Sequence, residues 1–357
     1  MNYRDLIIII LLFILFYCKL DYIKKFIKII KRYFYPIKHL EINSDLSLIK
    51  KEQINIIKYI KKNINIDIQN KKLKKIIIYV IEDGKKVRPI IVSSIFKQLN
   101  NLNNEINQNN PFPENLNFIY EAAISIEFLH CASLIIDDIM DLDDERRGKV
   151  AVYIKYGLSM AQLTALILCS LSMQKIFNSF QKLNTTFPEA NKNIPIILGN
   201  IVSDMVKNLS LGQYLDITIN SNKSKLNIED LIHKKTSSLF EYCFVIPWVL
   251  TYYSKKDEEL IIDIENMKTI AKLFGLIFQI ADDFEDIEQD LKKQQNSIVN
   301  YVINKGSYSA YKDYNKFVIK FTKLSKKYNV LTPELEQIIN YLTLKVNLYY
   351  KKNAILS

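Results

Sequence analysis

Apolar residues recur every three to four positions along most of this chain, which is the spacing of one face of an α-helix. The pattern begins near residue 45 with SLIKKEQINIIKYIKKNI and is interrupted by a polar stretch at 100–117, which we predict to be a loop. No segment shows the strict alternation expected of a strand. The remaining predicted helices lie at about 118–140, 158–181, 196–219, 228–253, 258–290, 297–325 and 333–351.

Composition supports a helical fold. The chain has 357 residues but only 7 Gly and 8 Pro, and so few breakers favour long helices over a turn-rich β fold. Hydrophobic residues make up 49% and charged residues 24%, which is typical of globular proteins. We therefore predict an all-α fold, a single large helical bundle formed by residues 41–357 and preceded by an N-terminal apolar helix.

Residues 1–40 are excluded from the predicted bundle. Residues 6–17, LIIIILLFILFY, are uninterrupted apolar but shorter than the roughly 20 residues of a membrane span, and a basic amphipathic stretch follows them. One hypothesis is a membrane anchor that leaves residues 41–357 facing the cytosol. A second is a cleaved leader for an organelle, although no A-x-A-like site follows. The third is a buried helix.

Charge and cysteine content exclude some classes of function. The net charge is +11, yet no nucleic-acid motif accompanies it, so we expect no nucleic-acid partner. The cysteines are scattered without a C-x-x-C pair, which predicts reduced thiols rather than a zinc site or a disulfide framework. They are Cys18, Cys131, Cys169 and Cys243.

Two aspartate clusters carry the strongest chemical signal. The runs IIDDIMDLDDERRG and QIADDFEDIEQD each contain Asp-Asp-x-x-Asp at the end of an apolar helical stretch. The first acid cluster is Asp137, Asp138 and Asp141, and the second acid cluster is Asp282, Asp283 and Asp286. Carboxylates this close raise one another's pKa, and hard cations such as Mg²⁺ allow them to ionise together. Positions i and i+4 share a helix face, so each cluster can offer oxygens to a cation on one side.

Basic residues lie where an anionic substrate would need them. Arg146 and Arg147 follow the first acid cluster, and a guanidinium matches phosphate geometry with two parallel hydrogen bonds. Two further segments, GKKVRP and HKKTSSLF, are weak signals when each is taken alone. Their candidate residues are Gly84, Lys85, Arg88, Lys235 and Thr236.

In this order, the motifs resemble those of the trans-isoprenyl diphosphate synthases. They run GKKVRP, EFLHCASLIIDDIMDLDDERRG, GQYLDI, KTSSLF and FQIADDFED, over about residues 80–290. The run HCASLIIDD is most similar to the geranylgeranyl type. The resemblance implies a helical bundle of the isoprenoid synthase type with a central active-site cavity, and a homodimer. It also implies that the chain condenses isopentenyl diphosphate with an allylic diphosphate.

The resemblance implies a role for each matched residue. Both acid clusters would bind Mg²⁺ ions, three per active site, on the allylic diphosphate. The catalytic residues would be Asp137, Asp138, Asp141, Arg146, Lys235, Thr236, Gln279 and Asp282, of which Arg146 and Lys235 contact that diphosphate and Thr236 and Gln279 line the reacting carbons. Isopentenyl diphosphate would be bound by Gly84, Lys85, Arg88, His130 and Arg147. Gln213 and Asp216, in GQYLDI, would support the site.

Product length is predicted from the helix that carries the first acid cluster. A chain growing along it would meet Ala132 and Ser133 one turn before Asp137, and both are small. Leu129, one turn further back, is the predicted stop. These positions predict geranylgeranyl diphosphate or a longer trans-polyprenyl diphosphate.

Two departures from the family pattern leave alternatives open. The Gly-Lys pair expected after the second acid cluster is replaced by KKQQNSIVNYV, where Lys292 or Lys293 is a candidate substitute, and a common Gly-Asp pair is replaced by Ala165-Leu166. A non-catalytic regulatory subunit is therefore one alternative. A class I terpene cyclase is another, although its second motif is usually Asn/Ser/Glu. A di-iron bundle needs two Glu-x-x-His motifs, and Glu127-x-x-His130 supplies only one.

Overall fold

The structure is a computed structural model that describes residues 45–106, 117–218, 227–292 and 300–356. These residues belong to one compact unit. The predictions made for residues 1–40 lie outside the described residues, so the anchor and the leader both stay predictions. The prediction of an all-α fold is confirmed over the described ranges.

The elements of the first half of the chain surround one apolar helix. In chain order they are α1 (Ser47–Asp67), α2 (Lys71–Ile81), α3 (Val87–Ile106), α4 (Asn117–Asp141), β1 (Glu145–Arg146), β2 (Lys149–Val150), α5 (Val152–Tyr156) and α6 (Leu158–Thr186). The predicted loop at 100–117 begins later than expected, because Leu99 and Asn100 are buried and α3 continues past them.

The second half adds the helices that complete the bundle. They are α7 (Ile194–Thr218), α8 (Ile228–Ile232), a π-helix (His233–Ser237), α9 (Ser238–Thr251), α10 (Asp257–Lys292), α11 (Tyr301–Lys305), α12 (Ser307–Lys327) and α13 (Pro333–Leu356). Two predicted helices are thus divided. The helix at 228–253 contains the π-helix, and the one at 297–325 is broken at Gly306, whose φ is +80°.

The central helix α4 is apolar on nearly every side because it is surrounded by other helices. It packs along much of its length against α6 and also contacts α3 and α9. Every residue from 118 to 132 on α4 except Tyr120 is buried. The few polar groups find partners there: the Ser125 hydroxyl donates to the backbone oxygen of Ser172 on α6, 2.8 Å away. Such a helix has little amphipathic signal but a clear structural reason for its composition.

Two other helices keep apolar side chains on the outside. By length and composition α4, α6 and α7 could each cross a membrane, but the most apolar window of α4 is 78% buried in the bundle. The corresponding windows of α6 and α7 are only 44% and 22% buried. Leu166 on α6 and Ile196 on α7 are 66% and 63% exposed. These two helices therefore present an apolar outer face.

Candidate active site

The first acid cluster lies at the carboxyl end of α4. The helix ends at Asp141, Leu142 follows with a φ of +55°, and the Asp143 N–H donates to the Asp138 carbonyl, 3.0 Å away. The carboxyl end of a helix carries partial negative charge, so it disfavours carboxylates in its last turn. The fold therefore adds to the repulsion within this cluster and increases its need for cations.

In both acid clusters the second aspartate faces inward. Asp138 and Asp283 are only 3% and 5% exposed. Asp141 and Asp286 are exposed, and Asp137 and Asp282 are partly exposed. The first and third aspartates of each motif are thus the ones open to a ligand, as the i, i+4 spacing requires. The role of all six as metal ligands stays a prediction.

Burial and crowding raise the pKa of several of these carboxyl groups. Burial, with a further contribution from Asp141, raises the pKa of Asp137 to about 6. Burial and the neighbouring Asp282 raise the pKa of Asp286 to about 6. Burial raises the pKa of Asp283 to about 7, against the opposing hydrogen bond from the Tyr301 N–H. A cation bound beside these groups would favour their ionised form and lower each pKa again.

A short hairpin places Arg146 and Arg147 on different partners. Strands β1 and β2 are antiparallel, and the turn between them has φ values of +55° at Arg147 and +75° at Gly148. The Arg146 Nε donates to the Asp138 Oδ1 at 2.6 Å, and its Nη2 lies 3.2 Å from the Asp143 Oδ2. The sequence did not predict this hairpin, because strands of two residues are too short to show alternation.

His130 lies between two arginines. Its Nε2 is 3.1 Å from the Arg88 Nη1 and 3.2 Å from the Arg147 Nη2. Guanidinium groups only donate, so Nε2 accepts and the imidazole is neutral. Burial, reinforced by Arg88 and Arg147, lowers the pKa of His130 well below its usual range. The structure thus brings together three of the residues predicted to bind isopentenyl diphosphate.

The absence of a side chain at Gly84 leaves room for the Arg147 guanidinium beside His130. A Cβ at Gly84 would lie 2.2 Å from the Arg147 Nη1, and the φ of Gly84 is +94°. Lys85 points elsewhere: its Nζ lies 3.2 Å from the Tyr341 hydroxyl of α13. The structure therefore separates Lys85 from the contact between His130 and the arginines.

A buried ion pair holds the loop that bears Gly84 and Lys85. The Lys86 Nζ is 3.0 Å from the Glu127 Oε1, and the two side chains are 0% and 3% exposed. Lys86 also donates to the backbone oxygens of Ile81 and Asp83. Removing one partner of such a pair leaves an uncompensated buried charge. Glu127 thus has a structural role that is independent of any Glu-x-x-His metal motif.

The π-helix connects the two acid clusters. On one side, Lys235 forms an ion pair with Asp216, and Asp137 and Asp141 help to raise the pKa of Lys235 despite its burial. On the other side, the Thr236 hydroxyl donates to the Gln279 Oε1, 2.7 Å away. Gln279 lies one turn before Asp283 and donates to its Oδ1 at 2.8 Å. Single π-turns of this kind are frequent at functional sites.

Two glycines let the π-helix approach its neighbours. A Cβ at Gly212 would lie 2.7 Å from the Lys235 backbone nitrogen, and one at Gly275 would lie 2.1 Å from the Ser237 Oγ. Gln213, next to Gly212, lies with its Nε2 3.5 Å from the Asp141 Oδ1. Gln213 and Asp216 of GQYLDI thus contact Asp141 and Lys235, and their supporting role stays a prediction.

Asp283 contacts the start of α11. Its Oδ2 accepts from the Tyr301 N–H at 2.6 Å, and its backbone oxygen accepts from the Asn300 Nδ2 at 2.9 Å. Asn300 also caps α11 by accepting from the N–H groups of Val302 and Ile303. Both carboxylate oxygens of Asp283 are thus used by the protein itself. The candidate lysines at 292 and 293 remain outside the described side chains.

A lysine that the sequence analysis missed lies beside the second acid cluster. The Lys345 Nζ of α13 is 2.8 Å from the Asp282 Oδ1, and it also forms an ion pair with Glu285. Burial opposes the charged ammonium, yet Asp282 and Glu285 outweigh it and raise the pKa of Lys345. The signal was available in the sequence, because Lys345 falls on the apolar face formed by Leu342 and Val346.

The donor set suits a hard cation that shares its ligands with a substrate. Among the described residues, no three His, Cys, Asp or Glu side chains converge closely enough to form a metal site alone. Mg²⁺ typically takes one or two carboxylates and completes its shell with water and phosphate oxygens. The outward carboxylates of Asp137, Asp141, Asp282 and Asp286 fit that requirement.

The predicted chain-length positions lie on α4, N-terminal to the first acid cluster. Ala132 and Leu129 are 1% and 3% exposed. Ser133 is partly buried, and its hydroxyl donates to the backbone oxygen of His130 at 2.9 Å. Their proposed effect on product length stays a prediction.

Solved structures share this fold. The geranyltranstransferase of Thermotoga maritima is 22% identical with a TM-score of 0.61, over 86% of this chain and 98% of that one. The geranyltransferase of Legionella pneumophila gives a TM-score of 0.67 at 19% identity, over 84% of this chain and 96% of that one. The prediction of an isoprenoid synthase type of bundle is therefore confirmed.

Sequence comparison identifies the family. Residues 70–311 match the polyprenyl synthetase family, so the chain belongs to it and the predicted resemblance is confirmed. A trans-prenyltransferase of African swine fever virus is 30% identical over 219 residues, 59% of each chain. A short chain isoprenyl diphosphate synthase of Methanocaldococcus jannaschii is 31% identical over 213 residues, 59% of this chain and 56% of that one. The chain thus spans little more than half the length of these relatives.

We predict that Gly212→Ala destabilises the protein by about 1–3 kcal/mol, because the new methyl group meets backbone atoms of the π-helix and must displace them. Urea unfolding of the variant and the wild type measures this difference. Gly199→Ala is the matched control on α7, since a Cβ at Gly199 meets nothing within 4 Å. It should be neutral or stabilise by up to about 1 kcal/mol. Equal free energies of unfolding for the two variants would contradict the assignment.

Proposed function

We propose that the protein is a trans-prenyltransferase that condenses isopentenyl diphosphate with an allylic diphosphate, giving geranylgeranyl diphosphate or a longer trans-polyprenyl diphosphate. The observation that carries this proposal is the π-helix. Its Lys235 lies near Asp137 and Asp141 of the first acid cluster, and its Thr236 contacts Gln279, which lies one turn before Asp283 of the second. One short segment thereby contacts the surroundings of both acid clusters. Membership of the polyprenyl synthetase family supports the same activity.

In the proposed reaction, the chain binds and orients two diphosphates. Arg146 and Lys235 hold the allylic diphosphate, while Arg88, His130 and Arg147 hold isopentenyl diphosphate. The allylic carbon–oxygen bond breaks, the double bond of isopentenyl diphosphate forms the new carbon–carbon bond, and a proton leaves to the released diphosphate. Thr236 and Gln279, fixed to each other at 2.7 Å, line the reacting carbons. Preorganised positive charge stabilises the departing diphosphate.

We propose Mg²⁺, three ions per active site, as the metal of this enzyme. Asp137, Asp141, Asp282 and Asp286 would hold Mg²⁺, which would supply Lewis-acid neutralisation of the leaving group. Support comes from the open carboxylates of Asp137, Asp141, Asp282 and Asp286 and from the preference of Mg²⁺ for carboxylate and phosphate oxygens.

We propose a homodimer formed through the outer face of α6 and α7. Both helices keep large apolar side chains at the surface: Leu163, Leu166 and Phe177 on α6, and Ile196 and Tyr214 on α7, are each at least half exposed. Exposed apolar patches of this kind mark interfaces. Leu166, one of the departures from the family pattern, is among these exposed residues. Membrane association through residues 6–17, with a cytosol-facing catalytic domain, is a separate proposal, and import into an organelle is its alternative.

Purified full-length protein should condense isopentenyl diphosphate with at least one allylic diphosphate when Mg²⁺ is present. Product chromatography after incubation with a set of allylic partners checks this. Asp137→Asn should lose most activity while keeping its fold, because it removes an outward carboxylate. A folded wild-type protein that condensed no partner would instead support the regulatory-subunit hypothesis.

Ser133→Phe should shorten the product, because its ring would fill the space beside the growing chain one turn from Asp137. Chromatography of radiolabelled products measures the length, and Ser133→Ala should leave it unchanged. Unaltered product lengths in an active Ser133→Phe enzyme would show that this position is not the floor.

Leu166→Asp should convert the dimer to a monomer, because a charge in an apolar interface is costly to desolvate. Light scattering coupled to size-exclusion chromatography gives the mass of each species. Ile319→Asp is the control, since Ile319 is 71% exposed on a different helix, α12. A wild-type protein that is already monomeric, or a dimer that survives Leu166→Asp, would refute this interface.

A further inference from the structure

Lys345 is a buried cation directed at partly exposed carboxylates. Its side chain is 4% exposed, whereas those of Asp282 and Glu285 are 40% and 49% exposed. The ammonium thus comes from within the bundle, and its partners lie at the solvent side. Asp282 is also one of the outward aspartates of the second acid cluster.

The helix that carries Lys345 is fixed on both sides of it. The Tyr314 hydroxyl lies 3.0 Å from the Thr343 hydroxyl, and the Tyr311 hydroxyl donates to the Asn347 Oδ1 at 2.8 Å. The rings of Tyr311 and Tyr350 stack with centroids 4.1 Å apart. The backbone of α13 therefore cannot move away without losing these contacts. A buried ammonium without its carboxylate partners would be unfavourable, so Lys345 remains at Asp282.

A divalent cation that approaches Asp282 meets this positive charge. The ammonium already neutralises the carboxylate and repels a second cation at the same oxygens. A bound diphosphate adds negative oxygens on the open side, which would offset the repulsion. The second acid cluster would then bind its cation together with the substrate rather than before it.

We propose that Lys345 occupies the cation position beside Asp282 in the metal-free enzyme and makes divalent-cation binding by the second acid cluster depend on diphosphate. Lys345 is a positioning residue in this scheme, since it acts through Asp282. The inference rests on the proposed Mg²⁺ role of the acid clusters. The lysine beside the second acid cluster thus comes from α13, whereas the sequence analysis expected it at Lys292 or Lys293.

The test measures Mn²⁺ binding to the full-length protein by electron paramagnetic resonance, with and without inorganic diphosphate. Lys345→Met should bind Mn²⁺ about tenfold or more tightly than the wild type without diphosphate, because a unit charge a few ångströms from the site is removed. The tightening produced by diphosphate should shrink accordingly. Lys345→Gln, which keeps a hydrogen-bond donor to Asp282, should behave alike and carries the test if the Met variant does not fold.

Two control variants separate charge from structure. Lys345→Arg keeps the charge and should retain the Mn²⁺ affinity of the wild type. Lys352→Met removes a lysine of the same helix that pairs with Glu288, outside the acid cluster, and should also leave the affinity unchanged. Circular dichroism melting confirms the fold of each variant.

Unchanged Mn²⁺ affinity in folded Lys345→Met or Lys345→Gln would overturn the proposal, as would an equal gain in Lys352→Met. In either case, Mn²⁺ binding by the wild-type protein would still support the proposed metal role of the acid clusters. A wild type that binds no Mn²⁺ even with diphosphate would instead overturn the metal role and this inference with it.

Discussion

The structure depends on offsetting the charge of two clusters of crowded carboxylates, one on α4 and one on α10. The first acid cluster occupies the negative end of the α4 dipole, and the second acid cluster lies on α10. The protein offsets part of this charge itself, through Arg146 at Asp138, Lys235 near Asp137 and Lys345 at Asp282. Each cation comes from a different element, so the hairpin, the π-helix and the last helix are all required for one site.

Much of the fold could be predicted because helical periodicity and scarce breakers extend over long segments. α7 and α10 begin and end within two residues of their predicted bounds, and α6 begins at its predicted residue but ends later, at Thr186. The hairpin and the π-helix could not be predicted, since each depends on contacts distant in sequence. The π-helix needs Gly212 and Gly275 against it, and two-residue strands carry no pattern of their own.

Motifs predicted the residues of the candidate site but not how they divide the work. The sequence treats the three aspartates of each motif alike, whereas burial turns Asp138 and Asp283 inward and leaves their neighbours open. Lys85 was grouped with Arg88, but it faces α13. The position of Lys345 on an apolar helix face indicated a buried lysine, but its partner Asp282 lies 63 residues away and is brought to it only by folding.

The rigidity of α4 also bears on how such a protein could measure a product. One uninterrupted helix carries the aspartates that would hold the reactive end of the substrate and the residues Ala132 and Leu129 proposed to meet its tail. Successive residues advance by about 1.5 Å along the helix axis, so the distance between the aspartates and the chain-length residues is fixed by the helix itself. Relaxation elsewhere in the bundle would leave this distance unchanged. A different product length would therefore require a different residue at one of the chain-length positions.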